Sequence, residues 1–274
     1  MSNTQAQSLC MQAITVVKAT GAFIATQRGK VAESAIETKS INSLVSYVDQ
    51  EAERQLVSGL GALLPEAVFL TEEETVAQEE GQYRWIIDPL DGTTNFLHQL
   101  PFFSISVALQ REGRSILGIV YEVYREECFY AWQGGGAYLN TAPIRTRPVR
   151  HLADSVVATG FPFYEYSRQG ADLDVLGALM QRCRGIRRLG SAALDLAYVA
   201  CGRFDFFFEH SLNAWDVAAG AFLVEEAGGK VSDFRGGEDY LLGWEIVASA
   251  AGVYAEGMAV LEPLGRKTVE NGDH

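Results

Sequence analysis

The sequence predicts an α+β fold, and three observations lead to this prediction. Of the 274 residues, 48% are hydrophobic and 21% are charged, a composition typical of an ordinary globular protein. Three apolar runs between residues 103 and 132 alternate with polar residues as antiparallel strands do. From about residue 150 onward, predicted helices and strands alternate, which favours helices packed on a mixed sheet.

The first hundred residues are predicted to form two helices and then two strands. Apolar residues recur at helical spacing over residues 9–24. A second helix is predicted to follow Asp49 and to end near Pro65, which cannot continue it. Residues 67–72 and 83–88 have the pattern of short buried strands, with an acidic loop between them.

The next segment is predicted to be an antiparallel meander. Its strands cover residues 103–110, 115–124 and 127–132. Glu112-Gly113 and Arg125-Glu126 interrupt the pattern at turn positions.

Alternating elements are predicted for the rest of the chain. The strands are predicted at residues 155–159, 185–189, 204–209, 230–233 and 245–248, and the helices at 173–182, 192–201, 217–227 and 254–261. Pro143 and Pro148 lie in the segment 140–150, where the pattern changes. We therefore expect two regions, residues 1–145 and 146–274.

Charge limits the functions that this chain can have. Lys and Arg number 22 against 35 Asp and Glu, which gives a net charge of −13. A surface this acidic repels phosphate backbones, so we expect no nucleic-acid partner. An acidic protein that binds an anion needs cations, and bound metal ions are one source of them.

The compartment is predicted from cysteines and hydropathy. The four cysteines form no CxxC pair, so neither a zinc site nor a redox dithiol is indicated. The N-terminus lacks the features of a signal peptide, and no stretch comes near the roughly 20 apolar residues that span a bilayer. We expect a cytoplasmic protein with no membrane partner.

The most informative segment is residues 85–96, which contains two aspartates. An apolar strand leads to Asp88, Pro89 fixes a turn, and Asp91 follows three residues later. Two carboxylates that converge need a cation, and oxygen ligands favour Mg²⁺ or Mn²⁺. If a helical turn starts at Gly92-Thr93-Thr94, its N-terminus would receive a phosphate. Asp-Pro and Asp-Gly are also common turn dipeptides, so an ordinary turn is the alternative.

Two further acidic positions follow the same pattern. Glu72, Glu73 and Glu74 lie at the end of a predicted strand, where one of them can reach the same sheet edge. The alternative is a solvated acidic loop, which we prefer for Glu73 and Glu74. Asp216 opens a predicted helix, and taken by itself it is a plain N-cap.

Together these segments resemble the inositol monophosphatase family, within the lithium-sensitive, magnesium-dependent phosphomonoesterases. Residues 85–98 match one family signature and residues 215–229 match the other. Gly190-Ser191-Ala192-Ala193 between them matches the substrate loop of the family. The likeness extends in order from Asp49 through Gly229. It implies a layered αβαβα sandwich, with the metal and phosphate motif in residues 1–145 and the substrate loop and last ligand in residues 146–274.

The resemblance also implies a ligand set for two or three Mg²⁺ ions per site, replaceable by Mn²⁺. Glu72, Asp88 and the carbonyl of Leu90 would hold one ion. Asp88, Asp91 and Asp216 would hold a second, and a third would share Glu72. The loop of residues 39–43 departs from the family pattern, since Asn42-Ser43 precedes Leu44-Val45-Ser46 where the family usually has Asp before Leu-Val-Thr.

Catalytic and substrate roles follow from the same resemblance. Glu72 and Thr93 would position the attacking water, with Asp49 supporting Thr93, and the N–H groups of Gly92 and Thr93 would bind phosphate oxygens. The residues that would contact substrate hydroxyls are Asp91, Gly190, Ser191, Ala192, Glu209 and Asp216. Simple exposure at a strand end is the alternative for Glu209.

The activity implied is Mg²⁺-dependent hydrolysis of a small phosphorylated polyol, most of all myo-inositol 1-phosphate, by a lithium-sensitive homodimer. Histidinol phosphate or another sugar phosphate is the alternative substrate. A regulatory protein that has lost catalysis is the alternative from another class. Such a protein would be expected to have lost a ligand, whereas the predicted ligands and Thr93 are all present.

Overall fold

The computed structural model describes residues 1–32, 34, 36–40, 43–162 and 166–265. Ile41 and Asn42, in the loop that departs from the family pattern, lie outside the described residues. The helices are α1 (Asn3–Gln27), α2 (Tyr47–Leu63), α3 (Thr93–Leu97), α4 (Gln169–Met180), α5 (Ala192–Ala200), α6 (Ala214–Glu226) and α7 (Tyr254–Gly265). The strands that precede the second signature are β1 (Ile36–Ser40), β2 (Ser43–Ser46), β3 (Val68–Thr71), β4 (Tyr83–Asp91), β5 (Ser104–Arg111), β6 (Arg114–Glu122), β7 (Glu127–Trp132), β8 (Gly136–Leu139), β9 (Ala142–Ile144), β10 (Val156–Thr159), β11 (Gly185–Arg187) and β12 (Phe206–His210). β13 (Lys230–Ser232) and β14 (Glu245–Ser249) follow it.

A seven-stranded sheet runs in chain order from β3 to β9. β3 is parallel to β4, and every later neighbour is antiparallel. The predicted antiparallel meander is therefore confirmed as β5, β6 and β7. β8 and β9 extend it, and the sequence analysis did not predict them because Gly134-Gly135-Gly136 and Pro143 suggested loop.

A second sheet contains five strands in the order β11-β10-β12-β14-β13. β10 is parallel to both β11 and β12, whereas β14 is antiparallel to both β12 and β13. This is the mixed sheet that the alternating second half predicts. β1 and β2 pair separately as an antiparallel hairpin.

The helices and sheets stack in five layers. α1 and α2 pack on one face of the seven-stranded sheet, and α5 and α6 lie between the two sheets. α4 and α7 cover the far face of the five-stranded sheet. This order confirms the αβαβα sandwich and the α+β class.

Alternating side chains explain why both faces of the sheets are covered. In β4, Trp85 and Ile87 join the core under α1 and α2, while Ile86 joins the core against α5 and α6. In β12, Phe207 faces the central helices, while Phe206 and Phe208 face α4 and α7. Strands buried on both faces are continuously apolar, as these are.

The first helix corrects one expectation from the sequence. By length and composition α1 is able to cross a membrane, although no stretch was expected to come near that limit. Its buried residues, among them Ala13 and Val17, pack in the core with α2, β6 and β7. α1 therefore has the position of a core helix.

The two sheets are built from separate parts of the chain. The seven-stranded sheet ends at Ile144, and the five-stranded sheet begins at Val156. The central helices α5 and α6 contact strands of both. The division into residues 1–145 and 146–274 stays a prediction.

Candidate active site

Three predicted ligands converge in space. Asp88, Asp91 and Asp216 each offer a carboxylate oxygen, and these oxygens lie within 4.8 Å of one another. Asp88 and Asp91 belong to the end of β4, and Asp216 is in the first turn of α6. The two signatures, far apart in sequence, therefore supply one cluster.

A bulge in β4 places the first two carboxylates. The sequence analysis expected the strand to end at Asp88, but β4 continues to Asp91. Asp88 is opposite Ser106 and Asp91 is opposite Ser104, so β4 has one residue more than β5 over this interval. Pro89 has no N–H for the ladder, and a bulge accommodates it and redirects the neighbouring side chains.

The cluster is unfavourable as three anions alone. Burial raises the pKa of Asp88 well above its usual value, and the charges of Glu72, Asp91 and Asp216 raise it further. The pKa of Asp216 is also raised well above its usual value, first by burial and then by the negative charges of Asp91 and Glu72. A hard divalent cation with oxygen ligands relieves both the repulsion and the lost solvation. The residues present therefore fit such a cation.

Glu72 lies beside this cluster. It follows β3, and its N–H donates to the Ile87 carbonyl at 3.2 Å, which ties it to β4. A hydrogen bond between the Glu72 and Asp88 side chains contributes to the raised pKa of Asp88. The structure thus brings Glu72 to the sheet edge where the sequence placed one of the three glutamates.

Thr93 is connected to Asp49 and Leu90. Its hydroxyl lies 2.9 Å from Asp49 Oδ1 and 3.0 Å from the Leu90 carbonyl oxygen, both of which are acceptors. Asp49 Oδ2 accepts from the N–H and the hydroxyl of Ser46 at 2.9 and 2.7 Å. Asp49 is buried, which raises its pKa in spite of these donors. It therefore holds Thr93 at the start of α3.

Gly92 cannot be another residue without displacing backbone. Its φ is +94°, and a Cβ there would lie 2.9 Å from the Phe102 carbonyl oxygen and 3.0 Å from that of Gly190. Left-handed backbone and close approach both require glycine. The turn it makes sets the N-terminus of α3 next to the carboxylates, where the phosphate was predicted.

The sequence analysis missed Asn95. Its amide Nδ2 donates to the carbonyls of Phe102 at 2.6 Å and Leu189 at 2.8 Å. This side chain holds the start of the predicted substrate loop against α3. Asn95 lies within the first signature, and this position is the feature of the sequence that could have identified it as a site residue.

A cavity of about 150 Å³ opens beside the cluster. Its lining includes seven of the predicted residues, namely Glu72, Asp91, Gly190, Ser191, Ala192, Glu209 and Asp216. The loop residues are bonded to the ligand set, since Ser191 Oγ and the Ala193 N–H donate to Asp91 Oδ2 at 2.6 and 2.8 Å. Burial nevertheless raises the pKa of Asp91 to about 6.

Glu209 is buried, with 7% of its surface exposed, so it does not simply reach solvent at a strand end. Burial raises its pKa to about 8, opposed by the charge of Arg188. A Cβ at Gly160 would overlap the Glu209 carboxyl group. The neighbouring glycine therefore leaves space for this acid in the cavity wall.

Two other acids were missed. Asp195 in α5 lines the cavity, is 1% exposed, and has a pKa that burial raises well above the usual value. Glu53 in α2 is fully buried and accepts from the N–H groups of Glu73 and Thr75 at 2.7 and 2.8 Å. Each lies one helical turn beyond a predicted site residue and so on the same face of its helix, but its burial has no local signal in the sequence.

Comparisons with known proteins agree with this geometry. Residues 5–263 match the inositol monophosphatase family. An inositol-1-monophosphatase from Mesorhizobium japonicum is 44% identical over 221 residues, covering 80% of this chain and 83% of that protein. Nus factor SuhB from Escherichia coli strain K12 is 45% identical over 211 residues, covering 77% and 79%.

A solved structure has the same fold. The extragenic suppressor protein suhB from Bartonella henselae superposes with a TM-score of 0.87 at 39% identity, covering 91% of this chain and 96% of that one. Match and structure together span both signatures and all five layers. The chain belongs to the inositol monophosphatase family and is a metal-dependent phosphoric monoester hydrolase.

Proposed function

We propose that the protein hydrolyses the phosphate monoester of a small polyol, foremost myo-inositol 1-phosphate, with two or three Mg²⁺ ions that Mn²⁺ can replace. The observation that carries this proposal is the cluster of Asp88, Asp91 and Asp216 beside a cavity that Glu209 also lines. The relative named inositol-1-monophosphatase supports the choice of substrate.

The cation positions that we propose follow from the resemblance to the inositol monophosphatase family. Glu72, Asp88 and the Leu90 carbonyl would hold one ion; Asp88, Asp91 and Asp216 would hold a second, and a third would share Glu72. Cations bound there would neutralise the phosphate dianion and lower the pKa of a bound water molecule.

The remaining steps belong to side chains of this chain. Thr93, fixed by Asp49, orients the attacking water, and Glu72 accepts its proton. The N–H groups of Gly92 and Thr93 bind phosphate oxygens at the start of α3. A water beside Asp216 protonates the leaving alkoxide. Because phosphoryl transfer makes little covalent demand, positioning and electrostatics supply the rate.

The alcohol is bound on the other side of the cluster. Asp91, Asp216 and Glu209 are acceptors for its hydroxyls, together with the loop Gly190-Ser191-Ala192. An acidic pocket suits a polyol and also the ammonium group of histidinol phosphate.

Phosphate release on four substrates tests the proposal. Myo-inositol 1-phosphate, histidinol phosphate, fructose 1,6-bisphosphate and adenosine 3′,5′-bisphosphate would be assayed with and without Mg²⁺. We expect Mg²⁺-dependent preference for the first, and inhibition by millimolar Li⁺ that rising Mg²⁺ relieves. Preference for a bisphosphate would contradict the proposed substrate class. We also propose that the protein is a homodimer, and light scattering would test this.

A second candidate is a role that does not need catalysis, favoured by the relative named Nus factor SuhB. A folded protein that binds Mg²⁺ and releases no phosphate from any of the four esters would support it. Mg²⁺-dependent turnover of one ester would leave phosphatase activity as the function of this site.

A further inference from the structure

Ser211 has a backbone conformation that serines rarely adopt. It follows β12 directly, and its φ is +64°. A non-glycine residue in the left-handed region is uncommon, and such residues cluster where a ligand is bound. Ser211 also lines the cavity next to Asp91 and Asp216.

A chain of hydrogen bonds fixes the Ser211 hydroxyl. His210 Nδ1 lies 3.1 Å from Ser211 Oγ, and His210 Nε2 lies 3.1 Å from Asp172 Oδ1. His210 is buried, with 8% of its surface exposed. The carboxylate of Asp172 can only accept, so Nε2 of His210 donates to it, and in this Nε2–H tautomer Nδ1 is the acceptor that faces the Ser211 hydroxyl.

This tautomer determines what Ser211 offers the cavity. Its hydroxyl hydrogen is directed to Nδ1, so the lone pairs of Oγ remain for another donor. Glu209 and Asp195, which line the same cavity, also supply acceptor oxygens. This wall of the cavity is therefore suited to an alcohol that carries hydrogen-bond donors.

A serine beside a histidine and an aspartate also suggests an acyl-transfer nucleophile, but the surroundings oppose it. The N–H of Leu212, which would stabilise an oxyanion, donates to the Trp244 carbonyl at 3.3 Å.

We propose that Ser211 is a specificity-determining residue that accepts a hydrogen bond from a hydroxyl of the substrate alcohol, and that His210 and Asp172 are positioning residues that fix its orientation. The inference rests on the proposed hydrolysis of a polyol phosphate. It adds the prediction that discrimination between alcohols depends on this hydroxyl.

Steady-state kinetics of Ser211→Ala test it, with myo-inositol 1-phosphate and phenyl phosphate, which has no alcohol hydroxyl. We expect KM for the polyol ester to rise roughly three- to tenfold, as for loss of one hydrogen bond. We expect kcat for both esters, and KM for phenyl phosphate, to stay within about twofold of wild type. Unchanged KM for the polyol ester, or an equal rise with both esters, overturns the proposal.

A comparison of Ser211→Ala with Ser211→Gly separates the effect of losing the hydroxyl from the effect of a change in the backbone. Ser211→Gly also removes the hydroxyl but relieves the positive φ, so it should be at least as stable as wild type and still show the selective rise in KM. A wild-type KM in Ser211→Gly would show that the alanine effect is structural.

The positioning residues have their own readout. His210→Phe should reproduce the selective KM change of Ser211→Ala, and His210→Asn, which keeps an acceptor near Nδ1, should partly restore discrimination. The double variant Ser211→Ala/His210→Phe should be no worse than either single variant. Additive losses would overturn the positioning role.

Failure of the proposed function would look different. If wild type hydrolyses phenyl phosphate but no polyol ester, the polyol substrate class fails, and Ser211→Ala is then judged on histidinol phosphate, whose ammonium is also a donor. The same selective rise in KM there would support the role of Ser211, and no change would overturn it. A wild type that hydrolyses none of the three esters overturns both proposals.

Discussion

Ser191 Oγ donates a hydrogen bond of 2.6 Å to Asp91 Oδ2 across a separation of 100 residues. Asp91 closes β4 of the seven-stranded sheet, whereas Ser191 is the N-cap of α5, where its Oγ also accepts from the Leu194 N–H at 3.3 Å. The Asp91 carboxylate therefore lies at the N-terminus of α5, where the helix dipole favours an anion. The hydrogen bonds from Ser191 and Ala193 lower its pKa against the effect of burial.

Ser191→Ala should weaken cation binding. Removing the hydroxyl leaves Asp91 less well oriented, and partners of this kind are worth roughly 10- to 100-fold in metal affinity or activity. Isothermal titration with Mg²⁺ measures the affinity, and Ser191→Thr, which keeps the hydroxyl, is the matched control. Equal affinity in wild type and Ser191→Ala would contradict this role.

Asp88→Asn should abolish turnover while leaving the protein folded. The change removes a ligand that serves two cation positions, so we expect phosphate release to fall roughly a hundredfold or more. In EDTA the variant should melt above wild type, because one of the repelling buried carboxyls is gone. Asp174→Asn, the same change at an exposed position of α4, should alter neither property. Near-normal turnover by Asp88→Asn would sink the assignment of the site.

Cation binding should compete with protons. The pKa values of Asp88 and Asp216 are raised well above normal and that of Asp91 is about 6, so at low pH these carboxyls hold protons that a cation must displace. We expect Mg²⁺ affinity to fall as the pH drops through about 6. Calorimetry in buffers of different ionisation enthalpy would count the protons released. An affinity that is constant between about pH 5 and 8 would be inconsistent with this linkage.

Glu53→Gln should loosen the loop that carries Glu72. The carboxylate of Glu53 accepts three hydrogen bonds from Glu73 and Thr75. The side-chain amide of a glutamine would place its own N–H group opposite one of these donors, and that hydrogen bond would be lost. We expect a loss of roughly 1–3 kcal/mol in the free energy of unfolding, together with weaker cation binding. Glu66→Gln, at an exposed position, is the control for the charge change. Melting curves that coincide for both variants would show that this clamp contributes little.

Glu209→Gln should change how stability depends on pH. The folded-state pKa of Glu209 is about 8 against an ordinary 4.5, so its contribution to stability is full below about 4.5 and is lost as pH rises through 8. The glutamine has no such loss. We expect the melting temperature of the variant, relative to that of wild type, to rise from about pH 5 to 8 and to stay constant above pH 8. Parallel plots of melting temperature against pH for the two proteins would refute the effect of burial.

Local periodicity in the sequence predicted most strands and helices, whereas the layered sandwich and the ligand set were implied by the resemblance to the inositol monophosphatase family. Period-two and period-3.6 patterns identified β4 to β7 and the principal helices, and the converging Asp88, Asp91 and Asp216 lie in two compact signatures. β8 and β9 were missed because glycine and proline in them resemble loop punctuation. The bulge in β4 was predicted as a turn because Pro89 interrupts the ladder without ending the strand.

The supporting residues were harder to predict because their partners are distant in sequence. Asn95 bonds to Leu189, and His210 bonds to Asp172, contacts that no local pattern reveals. Glu53 and Asp195 are acids that appear solvated in a helical pattern until tertiary packing buries them. Burial of a charged side chain was the property that the sequence did not express.

The helix layer between the sheets couples the stability of the folded protein to the binding of divalent cations. Asp88 and Asp91 come from one sheet and Asp216 from a central helix, so no cation is held until these layers have docked. Ions that bind only the docked state shift the folding equilibrium toward it. Depletion of divalent ions would therefore leave three repelling carboxyls at the junction and shift the folding equilibrium away from the docked layers.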